Sequence, residues 1–195
     1  LFKNIQWFQG FDTGMAAEIC LTVTGGRNLF ENCHIAGMGD AASAQDTGSR
    51  SLKIGTTGEN MFRRCVIGLD TVTRTVANAS LEFAGVGNPR NQFIECVFPF
   101  MTSSADVLGI IGSTGDADRF QLFDRCLFIN AAQSGSTTMS ALATLAASLG
   151  GLLLFKDPTL VGITEFGTDA TARGQIYVDG AAPTAATSGI AVNPT

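Results

Sequence analysis

The chain has 195 residues, of which 45% are hydrophobic and only 15% charged, with a net charge of −5. That composition supports a sizeable core and excludes a charge-dominated disordered chain. The acidic balance, with no basic stripe, argues against nucleic-acid binding; no apolar run reaches the length of a membrane span, because the longest, Met139 to Phe155, is interrupted by Ser, Thr and Gly.

Taken in order, Phe2 to Trp7 is a short apolar segment with Asn4 near its middle. Ile19 to Val23 predicts a strand with Ile19, Leu21 and Val23 on one face. A turn at Gly25-Gly26 leads into Asn28 to Ile35. The same order then recurs. A strand at Leu52 to Ile54 and a turn at Gly55 to Gly58 precede Asn60 to Ile67. Leu81 to Phe83 and Gly85 to Gly87 precede Asn91 to Phe98, and Val107 to Ile111 and Gly112 to Gly115 precede Gln121 to Phe128. The four segments share one frame: an amide, Phe two residues on, Cys three after that, and Ile or Phe two further. Their cysteines step by 32, 31 and 30 residues. Phe2 and Phe155 head weaker copies, with Ile and Pro in the Cys slot.

A period in the range of roughly 20 to 50 residues marks a solenoid, whose units cannot bury their apolar faces alone. The predicted fold is all-β: a right-handed parallel β-helix of about five to six coils of 28–32 residues, with three strands per coil. Like stacks on like about 4.8 Å apart. Phe2, Phe30, Phe62, Phe93, Phe123 and Phe155 are expected to form one core column, and Cys33, Cys65, Cys96 and Cys126 a second. Asn28, Asn60, Asn91 and Gln121 would form an amide ladder. Phe30 and Cys33, three apart, both point inward only if the chain bends sharply at Asn32; Arg64, Glu95 and Arg125 occupy that slot elsewhere. From Asn130 to Leu149 the spacing of Met139, Leu142, Leu145, Ala146 and Leu149 predicts one short helix capped by Ser136 or Thr137.

The coils are expected to occupy residues 1–164 and a capping or oligomerisation tail 165–195. In that tail Ile176, Val178, Ile190 and Val192 alternate and want an apolar surface, and with Tyr177 they are the expected contacts with neighbouring subunits. The first residues already lie inside a repeat, so the chain reads as a piece of a longer product.

Chemistry-bearing residues are sparse. Five cysteines spaced one per coil suit reduced, buried thiols rather than a disulfide framework. There is no Cys-x-x-Cys and one histidine, His34, so neither a metal site nor a cofactor is expected. Asp40, Asp46, Asp70, Asp106, Asp116, Asp118 and Asp124 are scattered. Asp116 and Asp118, with Asp124 and Arg125, are the best local cluster, but they lie in or next to a turn where Asp serves turn chemistry. No catalytic residue is assigned. One Trp and one Tyr are few aromatics for a sugar-binding groove.

Phe-x-Asn-Cys-x-Ile once per coil resembles the right-handed parallel β-helices of pectate lyase-like proteins and bacteriophage tailspikes, over Phe2 to Leu160. The ending from Ile176 to Val192, rich in Ala, Gly and Thr, resembles phage structural proteins. The resemblance implies a homotrimeric, non-enzymatic virion protein that decorates or stabilises the capsid, with the major capsid protein or other virion proteins as partners. The alternative is a tailspike body that binds or cleaves host polysaccharide.

Overall fold

Each copy of the frame folds as two short strands joined by a bend, and a third strand closes the coil. In the computed structural model the described residues are 1–9, 17–37, 48–74, 79–85, 87–102, 109–115, 118–131, 138–145, 151–167, 176–179 and 191–192. The first triplet is β1 (Phe2–Lys3), β2 (Gln6–Phe8) and β3 (Ile19–Val23). The second is β4 (Leu29–Glu31), β5 (His34–Ala36) and β6 (Arg50–Ile54); the third is β7 (Met61–Arg63), β8 (Val66–Ile67) and β9 (Leu81–Gly85). Then come β10 (Gln92–Ile94), β11 (Val97–Phe100) and β12 (Ile110–Gly115), followed by β13 (Phe120–Asp124), β14 (Leu127–Asn130) and β15 (Met139–Leu145). The sixth is β16 (Leu152–Lys156), β17 (Thr159–Val161) and β18 (Ile163–Gly167), and β19 (Ile176–Asp179) and β20 (Ala191–Val192) follow.

Corresponding strands pair in parallel, giving sheet A (β1-β4-β7-β10-β13-β16-β19-β20), sheet B (β2-β5-β8-β11-β14-β17) and sheet C (β3-β6-β9-β12-β15-β18). The result is a parallel β-solenoid. The four triplets that carry Cys33, Cys65, Cys96 and Cys126 form its closed body of about four turns, somewhat shorter than the five to six coils expected. The first and sixth triplets are its ends, where Phe2, Ile5, Phe8 and Val161 are exposed.

The Phe column runs the length of sheet A in register, from Phe2 through Phe30, Phe62, Phe93 and Phe123 to Phe155. Neighbouring rings stack with centroids 4.6 to 4.9 Å apart. All are buried except Phe2, which covers Phe30 at the open end.

Every copy bends at the same slot. Asn4, Asn32, Arg64, Glu95, Arg125 and Asp157 all have φ between 47° and 57°. A side chain there costs about 1 to 2 kcal/mol, yet Arg and Glu adopt the same φ as Asn. The bend keeps the coil-to-coil ladder intact: Asn32 N donates to Arg63 O at 3.0 Å, Arg64 N to Ile94 O at 2.9 Å and Glu95 N to Asp124 O at 2.9 Å. A second left-handed column, Arg27, Glu59, Arg90 and Arg119 (φ 55° to 62°), forms the corner that enters sheet A. In the turn between these residues and sheet C, Gly58 stacks too closely on the next coil for a side chain. A Cβ on Gly58 would lie 2.0 Å from the Pro89 carbonyl oxygen.

Two expectations need correction. Met139 to Leu145 is strand β15, not a helix; Ala146 and Leu149 lie outside the described residues. β15 fills a slot between β12 and β18, where a helix would leave both neighbours' ladders unpaired. Met139, Ala141, Leu142 and Ala143 are all buried, so the segment lacks the alternation of a half-buried strand and its Leu spacing reads as helical. The tail also does not begin as a separate element. The boundary at 164/165 falls inside β18, and β19 adds to sheet A with Ile176 beside Leu153 and Val178 beside Phe155. Ile176 and Val178 are buried in the chain's own core, so neither is presented to a neighbouring subunit. Tyr177 is half-buried on the outer face; Val192 pairs with Val178, and Ile190 lies outside the described residues.

Candidate functional site

The columns are the chemically distinctive feature of this protein. The amide ladder stands next to the Phe column. Asn60 Oδ1 accepts from Asn28 N at 3.0 Å and Asn28 Nδ2 at 3.1 Å. Asn91 Oδ1 accepts from Asn60 N at 3.1 Å and Asn60 Nδ2 at 3.0 Å. Gln121 Oε1 accepts from Asn91 N at 3.1 Å and Asn91 Nδ2 at 2.9 Å, and Gln121 Nε2 donates to Asn88 O. Asn60 and Asn91 thus each accept from the preceding coil's backbone N–H and amide and donate to the next amide, which a dry site requires.

Cys33, Cys65, Cys96 and Cys126 are buried and unbridged. Cys65 Sγ donates to Phe30 O at 3.5 Å, Cys96 Sγ to Phe62 O at 3.4 Å and Cys126 Sγ to Phe93 O at 3.3 Å. Each thiol is therefore tied to the preceding coil. Burial pushes the Cys33 and Cys96 thiols up; at Cys65 the contact with Cys96 does so first and burial second. A thiol held in its neutral form is a poor nucleophile, so this column packs rather than reacts. Cys20, half-buried, is also free, and burial pushes it up as well.

On the outside, three sets of charges stack with alternating sign. Lys3 Nζ lies 2.9 Å from Glu31, which also pairs with Arg63. Arg27 lies 2.6 Å from Glu59, which also pairs with Arg90. Glu95 is held between Arg64 at 3.0 Å and Arg125 at 3.3 Å. Like charges 4.8 Å apart would destabilise the stack, so alternation supports the register the core also requires. Hydrogen bonds from Lys3 and Arg63 hold the Glu31 carboxyl at about 2, well below its ordinary value, and those from Arg64 and Arg125 lower Glu95. A depressed carboxyl stabilises the fold above its ordinary pKa and loses that contribution as pH falls toward its folded value. The melting temperature should therefore hold from pH 7 to 5 and decline from about pH 4.5 toward 2. Glu31→Gln should lower it at pH 6 and shallow the acid decline; an unchanged acid limb in thermal melts would count against this ladder.

Sequence reasoning missed a buried polar group at the corner between sheets B and C. The Arg74 side chain is fully buried, 5.0 Å over the Phe100 ring, and its Nη2 donates to Ser80 Oγ at 2.7 Å. Its backbone joins a further ladder: Arg74 N donates to Met101 O at 2.9 Å, Thr102 Oγ1 to Arg74 O at 3.2 Å, and Thr102 N to Asn130 Oδ1 at 3.1 Å. Arg50 and Glu82, both buried, pair at 3.0 Å. Burial, then the nearby Arg50, push Arg74 down to about 9, which leaves it charged at neutral pH. A lone Arg in the Thr-rich stretch after β8 carries no signal that could have revealed this.

Among the described residues, the acidic side chains weighed for catalysis form no group of three. Asp124 pairs with Arg125 at 3.1 Å and Lys156 at 3.8 Å. Asp118 is half-buried and Asp70 exposed, while Asp40, Asp46, Asp106 and Asp116 lie outside the described residues. His34 is half-buried on the outer face of sheet B. Among the described residues no three His, Cys, Asp or Glu side chains are grouped to hold a metal, and no helix is long and apolar enough to cross a membrane. An open hollow of about 320 Å³ lies over sheet A, floored by Leu122, Leu154 and Tyr177 and edged by Lys156 and Asp179. No protein-family model, curated protein or solved structure matches the chain.

Proposed function

We propose that this chain is the shaft of a bacteriophage virion protein, a tailspike-like β-helix that associates as a homotrimer. In this reading it decorates or stabilises the capsid against the major capsid protein or other virion proteins. The observation that carries it is the use of polar groups within the stack. Amides, thiols and surface charges are engaged coil to coil, as suits a stiff spacer on a particle. The sequence resemblance supplies the phage context. The test is imaging of the parent particle at a resolution that traces this chain. Density for the solenoid on the shell, lost when the chain is deleted, is the expected result. Density on the tail alone would overturn the decoration role.

A second reading, a tailspike body acting on host polysaccharide, is favoured by the hollow beside Tyr177. Its apolar floor and charged edge offer a sugar a stacking face and hydrogen-bond partners. Host-type polysaccharide incubated with the protein distinguishes the two. Chain shortening that disappears with Asp124→Asn would install the second reading in place of the first.

A further inference from the structure

We infer that the outer face of sheet B is where copies of this chain meet, parallel and in register, about an axis along the solenoid. The number of copies, three, rests on the function proposed above; the choice of face does not.

The argument is one of charge and symmetry. β2, β5, β8, β11, β14 and β17 carry no Asp, Glu, Lys or Arg. Sheet A carries Lys3, Glu31, Arg63, Asp124, Lys156 and Asp179, and sheet C carries Arg50, Lys53, Glu82 and Glu165. Every charged strand residue thus lies on two of the three sheets. Within one chain the charge ladders are favourable because sign alternates from coil to coil. Between parallel identical chains the rule inverts: each residue facing the axis meets its own copy at the same level. Any charge there meets a like charge, and like-charge juxtaposition costs several kcal/mol. Of the three strand faces, only that of sheet B meets such an axis without a strand charge; Asp70, in the turn after β8, stands at its edge.

Apart from Gln6, His34 and Thr159, the same face is apolar where it points out. Ile67, Phe98 and Phe128 fill the core, so by strand alternation Val66, Val97, Leu127 and Ile129 point outward. These four are half-buried, and Phe8 and Val161 at the two ends are exposed. The six strands extend the face over about 24 Å, five steps of ~4.8 Å. Beside it a hollow of about 410 Å³, between the strands and the turn at Leu69 to Thr71, can receive a neighbour's side chain.

Two substitutions on the intact chain test the face, with Met61, half-buried on the outer side of sheet A, as control. Leu127→Lys should weaken self-association at least about tenfold by sedimentation, and Met61→Lys should leave it unchanged. Because Leu127→Lys also risks the fold, a neutral probe accompanies it. With Cys20→Ser removing the half-buried thiol, Leu127→Cys should form covalent dimers on mild oxidation, and Met61→Cys should not. Leu127 lies near one end of the face, so an antiparallel pair would keep its copies apart. Cross-linking at Met61 but not Leu127 overturns the face. An intact chain that sediments as a monomer at all concentrations overturns the face and the trimer together. A dimer that cross-links through Leu127 upholds the face and removes the trimer from the proposed function.

Discussion

Phe93→Ala should cost about 3 to 5 kcal/mol of stability, the range for removing a fully buried Phe. Phe93 stacks on Phe62 and Phe123 with centroids 4.9 and 4.7 Å away, and meets Phe83 and Phe98 edge-on. Truncation leaves a void that no neighbour can fill cheaply, because each flanking ring is held in register by its own strand. The break also falls mid-column, where it separates two halves of a stack whose stability comes from nearest-neighbour contacts. Thr22→Ala, on an exposed position of β3, should cost under about 0.5 kcal/mol. Thermal and urea melts of both variants check this, and similar midpoints would show that the column is not the core's main support.

The amide ladder should be nearly as sensitive, with a dependence on position. Asn91→Leu keeps the branched shape but removes the acceptor for Asn60 N and Asn60 Nδ2. Two buried donors then lack partners, at about 1 to 3 kcal/mol each, so the loss should be about 2 to 6 kcal/mol. Asn28→Leu, at the half-buried end of the ladder, removes one donor to Asn60 and strands none. Its cost should be about 1 kcal/mol. Equal costs at the two positions would mean that the amides act independently rather than as a ladder.

How far the sequence reached follows from what a repeat forces. When units of one length stack, equivalent positions must coincide, so the frame alone placed the Phe and Cys columns and the amide ladder. The residues that break the pattern were readable only in part. The bend was legible at Asn32 but not at Arg64, Glu95 or Arg125, whose side chains do not favour a left-handed backbone. The stacked ladder imposes that conformation on them, against local preference. The helix expected from Met139 to Leu145 failed for the same kind of reason. Intrinsic preference is worth tenths of a kcal/mol per residue, while pairing with β12 and β18 supplies a full ladder on both sides.

The surface divides in the same way. The charged residues were visible in the sequence, but their pairing across 30 to 32 residues depended on register, which only the coiled chain brings about. Nothing in the sequence marks Arg74, Arg50 or Glu82 as buried, yet the fold buries them at or near sheet C. Ile176 and Val178 carried the right alternation, but alternation states only that a strand has an apolar face. Whether that face meets another subunit or the chain's own core is decided by where the strand is placed, and here β16 offers its open edge first. The sequence by itself thus determined the fold class and the inner columns, because burial and period constrain them at every coil. The tertiary structure decided the bends, the pairing of charges and the placement of β19, because each depends on a neighbour distant in the chain.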